Sequence, residues 1–280
     1  MYVPSISFPS SSKHIHTYKR ISMFQTVKSI LATLSLVALT ATLSCSGNKG
    51  NSVSDTTANA AGNDTVLRVA ILPVRECEIL RYAQESGLAS RMGLKMELLD
   101  YDALMDIDTA VLSGNAHVYF EDTLRICRIK NDSLRPELLL PIPVNLRLVA
   151  NKDKDIDNIR DLKTNMVGLT RWSQLEEWMT AISASAALEQ MDVYHAQINS
   201  IPLRCKMVND GLIEAAIVPQ PWADSLCASG HKTLKDTISD GMGFYICPSI
   251  KSDSLLLQQA RMLRKVYLQA LKQTQTQDNV

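Results

Sequence analysis

The chain has no excess of either charge. Its 29 basic residues are matched by 29 acidic ones, so no long-range field of one sign is available to attract a nucleic-acid backbone. None of its 6 cysteines stands in Cys-x-x-Cys spacing, which sets aside a zinc ribbon and a dithiol redox motif. His-Glu-x-x-His, Gly-x-Ser-x-Gly and the phosphate-loop pattern are all missing, and His117, His195 and His231 are scattered. No catalytic residue, metal ligand set or cofactor is therefore expected. The uncharged run from Ile30 to Leu43 is also too short to cross a hydrocarbon core of ~30 Å comfortably, which takes about 20 residues as a helix.

That run instead fits the h-region of an export signal, with Lys28 before it and Ser44-Cys45 after it. Thr42-Leu43-Ser44-Cys45-Ser46 resembles a bacterial lipobox, with Thr42 in place of the usual Leu, and nominates Cys45 for lipid attachment. A plain secretory signal cut nearby is the other reading. The long polar stretch ahead of the run leaves Met23 as an alternative start. Residues 1–44 are thus expected to be a signal and 45–64, rich in Ser, Gly, Asn, Thr and Ala, a flexible tether. Removing the first 44 of 280 residues leaves 236, enough for one globular unit of two lobes. Five cysteines then remain, Cys77, Cys127, Cys205, Cys227 and Cys247. With an odd number, at least one is free or pairs with another chain, and buried thiols behaving as small hydrophobes are expected.

One pattern occurs twice. Val111-Leu112-Ser113-Gly114 leads into Ala116 to Phe120 and Glu121-Asp122; Val208-Asn209-Asp210-Gly211 leads into Ala215 to Val218 and Pro219-Gln220-Pro221-Trp222. Each reads as a helix end, a glycine cap, a buried strand and a polar or aromatic strand end. In open α/β sheets ligands sit at the carboxyl ends of strands, so two such ends suggest two lobes facing one cleft.

Periodicity fills in the rest. Val66 to Leu72 is a strand buried on both faces, Ile79 to Met92 a helix capped by Gly93, Lys95 to Tyr101 a strand and Asp106 to Leu112 a helix. Pro141 and Pro143 argue against a regular central strand over Leu138 to Val144, because proline lacks the ladder donor. Leu146 to Ala150 and Gly243 to Pro248 are expected as two segments crossing between lobes. Met166 to Leu169 reads as a strand, Ser173 to Glu189 and Leu203 to Asn209 as helices, and Leu255 to Leu271 as a closing amphipathic helix packed on the first lobe. Alternating strands and helices argue a parallel α/β arrangement. The expected lobes are 65–146 plus 247–280, and 147–246.

Leu67-Arg68-Val69-Ala70-Ile71-Leu72-Pro73, Ser113-Gly114, Asp161-Leu162-Lys163, Val167-Gly168-Leu169-Thr170-Arg171 and Ala216-Ile217-Val218-Pro219-Gln220-Pro221-Trp222-Ala223 carry a likeness. In their order from Val66 to about Lys272 the chain resembles the solute-binding proteins of ABC importers, in the branch of nitrate, sulfonate, taurine and thiamine-precursor binders. That family shows Gly-x-x-Asp before each of the two strands; here the Asp positions are His117 and Glu214, and the Gly usual after Asp-Leu-Lys is Thr164. The resemblance implies a bilobal fold of the periplasmic-binding-protein type II kind. It also implies an exported, lipid-anchored monomer that passes a small molecule to a membrane permease. An exported enzyme or ligand sensor on the same scaffold is the alternative, because fold analogy alone does not fix function.

Nine residues are candidates for ligand contact. Ser173-x-x-Glu176 is a capping box directly after a strand, so a helix N-terminus there offers backbone N–H groups to an anion. Arg171 would add donors and Trp172 an apolar wall; a capped surface helix is the plainer reading. Gln220 and Trp222 follow the second buried strand, where Trp222 either stacks on a ligand or plugs the space under a helix. Arg75 and Glu76 follow the first strand, and Glu121 and Asp122 the third; the three carboxylates stand equally well as ordinary choices at a helix start. The two arginines favour an acid and the carboxylates an amine. A small organic molecule, zwitterionic or heterocyclic, is the expectation over a bare inorganic ion.

Overall fold

The computed structural model describes residues 65–129, 135–189 and 191–277. The expected signal, the tether and Cys45 lie outside the described residues. Residues 61–280 form one compact unit. The chain begins with β1 (Leu67–Ile71), whose Leu67, Val69, Ala70 and Ile71 are all wholly buried, as a strand covered on both faces must be. Then come α1 (Arg75–Glu85), α2 (Leu88–Arg91), β2 (Met96–Asp100), α3 (Leu104–Leu112), β3 (Val118–Asp122), α4 (Thr123–Cys127) and β4 (Glu137–Ala150). The second half supplies β5 (Met166–Leu169), α5 (Gln174–Ser185), β6 (Tyr194–Gln197), α6 (Ile201–Asn209), β7 (Ala215–Pro219) and α7 (Trp222–Ala228). Finally β8 (Lys232–Ile246) returns and α8 (Ser254–Gln277) packs on α1, where the Tyr267 hydroxyl donates to the Glu76 carbonyl at 3.1 Å.

The eight strands among the described residues join one mixed sheet in the order β2-β1-β3-β8-β4-β7-β5-β6. The outer triplets are each parallel, as β–α–β alternation requires. Between them β4 and β8 form a long antiparallel ribbon. β3 flanks one end of it, pairing Val118 with Ile246 and Asp122 with Met242; β7 flanks the other, pairing Ala215 with Ala150 and Pro219 with Leu146. The carboxyl ends of β3 and β7 therefore both point to the ribbon's middle. The doubled pattern in the sequence has this physical basis. α3 and α6 each end one residue before a C-cap that precedes a left-handed glycine, Gly114 at φ +71° and Gly211 at φ +70°, and a buried strand follows.

The expectation that Pro141 and Pro143 keep Leu138 to Val144 out of a central strand is corrected. Both lie inside β4. On β4, β7 pairs only with Leu146–Ala150, so among the described residues the proline-bearing half of β4 has β8 on one side and no strand on the other. The missing donors face a locally open edge, and the register shifts between Ile142 and Val144 absorb Pro143. The helix expected over Ile79 to Met92 starts four residues earlier and breaks at Gly87, where φ is +72°. The helix expected to reach Glu189 stops at Ser185. β6 and α7 were not expected, both being short and weakly periodic. The two expected crossing segments, Leu146–Ala150 and Gly243–Pro248, each sit largely beside a flanking strand, and the lobe boundary at 146/147 cuts through β4. The ribbon lacks a flanking strand only between these contacts.

Candidate functional site

Residues at or near the carboxyl ends of β1, β3, β5 and β7 line a cavity of about 40 Å³ beside the ribbon's middle. Leu72 after β1 and Phe120 of β3 line it from the first half. Thr170 after β5 and Pro219 of β7 line it from the second, and Val144, Leu146 and Met242 of the ribbon form its floor. Leu104 at the start of α3, and Asn199, Ile201 and Arg204 around the start of α6, close its sides. The walls are apolar apart from Thr170, Asn199 and Arg204.

Arg204 is the unusual member. α6 carries its buried stripe at Ile201, Arg204, Cys205 and Val208, so helical spacing turns the arginine inward with three apolar residues. β5 makes room for its stem: a Cβ added at Gly168 would sit 3.1 Å from Arg204 Cγ. The side chain is only 1% exposed. Nη1 donates to Thr170 Oγ1 at 3.1 Å and to the Ile198 carbonyl at 3.0 Å, while Nε has no partner. No carboxylate among the described residues pairs with it, and burial pushes its pKa down to about 10. A guanidinium that stays charged at neutral pH is thus sealed in without a counter-charge, an expensive arrangement unless an anion completes it. Sequence reasoning missed it by starting α6 at Leu203, although an arginine at one position of the Ile201/Cys205/Val208 stripe is a readable signal.

None of the nine sequence candidates lines this cavity. Several instead join the two halves around it. Asp122 is fully buried, and its carboxylate accepts from the Gln174 N–H at the start of α5 and from the Leu124 N–H, each at 2.8 Å. The helix N-terminus expected to receive a ligand anion is therefore occupied by the protein's own carboxylate, whose pKa burial raises despite those two donors. Ser173, also buried, caps α5 by accepting from the Leu175 N–H and donates to the Thr170 carbonyl. The capping box is open on its other side, since Glu176 turns to the Trp172 N–H and to Arg171 at 3.2 Å. Arg75 reaches across to Asp224 at 3.0 Å, and its backbone N–H donates to the Gln220 carbonyl. The Trp222 indole N–H donates to the Pro73 carbonyl at 2.7 Å, which makes it a bridge between halves.

The remaining candidates stand apart. Glu76 accepts from the Asn145 N–H at the edge of the ribbon. Glu121 lies on the face of β3 opposite Phe120, buried against Arg125 at 3.1 Å with one carboxylate oxygen unpartnered; burial holds its pKa well above the usual range. Trp172 is 55% exposed, at φ +57°, over a groove shared with Glu121 and Arg125. Arg171 is exposed beside Glu176. Among the described residues no three His, Cys, Asp or Glu side chains come together to hold a metal, and Cys77, Cys127, Cys205, Cys227 and Cys247 are all free thiols. Nor is any described helix long and apolar enough to cross a membrane.

No family model matches the sequence, and no curated protein matches it. Solved structures do. A Candida albicans gene product described as exhibiting the generic periplasmic binding protein structural fold aligns at TM-score 0.62 with 14% identity, over 76% of this chain and 74% of that one. The alkanesulfonate-binding protein SsuA from Xanthomonas axonopodis pv. citri, bound to MOPS, aligns at TM-score 0.57 with 14% identity, over 75% and 79%. PhnD1 from Prochlorococcus marinus, in complex with methylphosphonate, aligns at TM-score 0.54 with 15% identity, over 72% and 83%. Together with the mixed sheet and its converging strand ends, these likenesses establish that the chain has the periplasmic-binding-protein fold.

Proposed function

We infer that this chain is an exported solute-binding protein, held to a membrane through a lipid on Cys45, that captures a small organic molecule between its halves and hands it to an ABC-type permease. One observation carries the reading. The carboxyl ends of β1, β3, β5 and β7 converge on one largely apolar cavity between two halves of a sheet that are joined by a two-stranded ribbon. Such a joint lets the halves part and close as bodies about the unflanked middle of β4 and β8, with no bond made or broken. Bound MOPS in one structural neighbour and methylphosphonate in another support a small-ligand role. In this reading Leu72, Phe120, Thr170, Arg204 and Pro219 touch the solute. Arg75, Asp122, Ser173, Gln220 and Trp222 hold the closed state, and Glu76, Glu121, Arg171 and Trp172 lie outside the contact set.

Thermal-shift screening of the protein against a panel of small acids, amines and neutral solutes is the test. A true ligand at a hundred times its Kd stabilises by about 2.7 kcal/mol, which is a rise of roughly 5–10 °C in Tm for a domain this size. Chemical turnover of a hit would move the protein to the enzyme class. A panel without any response would remove the reading.

A further inference from the structure

We propose that the solute is a short-chain organic monoanion, such as an aliphatic carboxylate, with its head group on Arg204 and its tail against Leu72, Leu104, Phe120 and Met242. The inference rests on the solute-binding reading and deepens it by naming the ligand's class.

Charge decides the head group. The buried guanidinium has no carboxylate partner among the described residues, and its Nε points a donor at nothing while Nη1 is already committed to Thr170 and Ile198. A trapped water could accept from Nε but would bring no charge. An anion supplies both the acceptor and the missing counter-charge, and charge-assisted hydrogen bonds of this kind are among the strongest available. One guanidinium neutralises one negative charge. A phosphate dianion would leave the second charge buried and uncompensated, so a monoanion is favoured.

Shape decides the body. The cavity's other walls are apolar side chains, which reward a hydrocarbon tail and penalise a second polar group. Its volume of about 40 Å³ is on the scale of one water, at about 30 Å³ each in the liquid, so even acetate needs the halves to move apart slightly. Longer tails need a wider parting. Asp122 already fills the start of α5, so a second anionic group would find that donor pair taken and a like charge beside it.

The test uses calorimetry on the full-length chain with acetate, butyrate, chloride, inorganic phosphate, methylammonium and butanol as probes. Binding of acetate or butyrate, with no heat from chloride, phosphate, methylammonium or butanol, is expected. Arg204→Met, which keeps the bulk and removes the charge, should weaken butyrate binding at least about 30-fold. Should that variant fail to fold, the wild-type protein still answers. The side-chain Nε–H resonance of Arg204, identified by its loss in Arg204→Lys, should move when butyrate is added. Butyrate binding unchanged in Arg204→Met, an unmoved resonance, or equal responses to chloride and butyrate would overturn the proposal. Binding of methylammonium or butanol in place of the acids would overturn it while leaving the solute-binding reading intact. Silence with these six probes overturns it too, and the broader reading falls only if the wider solute panel is also silent.

Discussion

At the scale of single residues, burial sets the chemistry of this protein more than sequence motifs do. Burial raises Glu121 well above 4.5 and Asp122 above 3.8. A carboxyl whose folded pKa exceeds its unfolded one binds more protons in the native state between the two values. Its contribution to stability therefore declines as pH rises through that window. His117, His195 and His231, lowered by burial, act in the opposite sense near 6.5, so the informative quantity is the difference between variant and wild type. Glu121→Gln, which does not ionise, should gain Tm relative to wild type progressively as pH rises above 4.5. Parallel melting curves across that range would show that Glu121 is already ionised throughout. The sequence placed Glu121 and Asp122 correctly at a strand end but could not say which way each faced. β3 puts Phe120 on the cavity side and Glu121 on the other, and the parity of a strand is legible only once the location of the core is known. Thr164 is a smaller case: it stands where the resemblance puts glycine, and its backbone keeps the left-handed turn at φ +63°.

At the scale of elements, the ribbon of β4 and β8 depends on two glycines used differently. A Cβ at Gly243 would sit 2.7 Å from the Leu140 carbonyl and 2.9 Å from Leu138, so the paired strand itself would have to shift. A Cβ at Gly241 would instead fall on the amide of Gln174, the flexible end of a side chain from the start of α5 that accepts from Ser239 Oγ at 2.6 Å. Gly243→Ala is expected to destabilise by about 1–3 kcal/mol through overpacking. Gly241→Ala should lose roughly one hydrogen bond's worth, about 0.5–1.5 kcal/mol. Urea midpoints of the two variants rank them, and the reverse order would mean that the ribbon yields more easily than Gln174. Strong elements such as β1, β5, β7 and α8 were evident from apolar runs and periodicity. β6 was not, because Tyr194 to Gln197 is a short half-exposed edge strand that only its neighbour β5 makes a strand. The proline-bearing half of β4 was misread because proline's exclusion applies to strands flanked on both sides, and flanking is a tertiary property.

At the scale of the whole molecule, the polar contacts between halves include Trp222 to Pro73, Gln174 to Asp122, Ile201 to Asp102, Asn199 to Met105, Arg75 to Gln220, and the Arg75–Asp224 ion pair. Each hydrogen bond adds only about 0.5–1.5 kcal/mol net, so under the proposed solute-binding function a ligand can outweigh this polar part of the contact between halves. Trp222→Phe removes one of these bonds while keeping an aromatic ring. It should enlarge the ligand-free radius of gyration by small-angle scattering and weaken ligand binding by up to about tenfold, since apparent affinity scales with the closed fraction. Unchanged scattering together with unchanged affinity would mean that the indole bond does not contribute to closure.

The sequence alone determined the alternation of buried strands and helices and the two glycine-capped turns at Gly114 and Gly211, each leading into a buried strand. These follow from local periodicity and backbone conformation, which neighbouring residues encode directly. Only the tertiary structure decided that Asp122 spans the gap to α5, that Trp222 bridges to Pro73, and that Arg204 stands alone at the cavity. Each of these depends on residues 34 to 149 positions apart meeting in space. Whether a charge is paired is a property of that meeting, not of the residue.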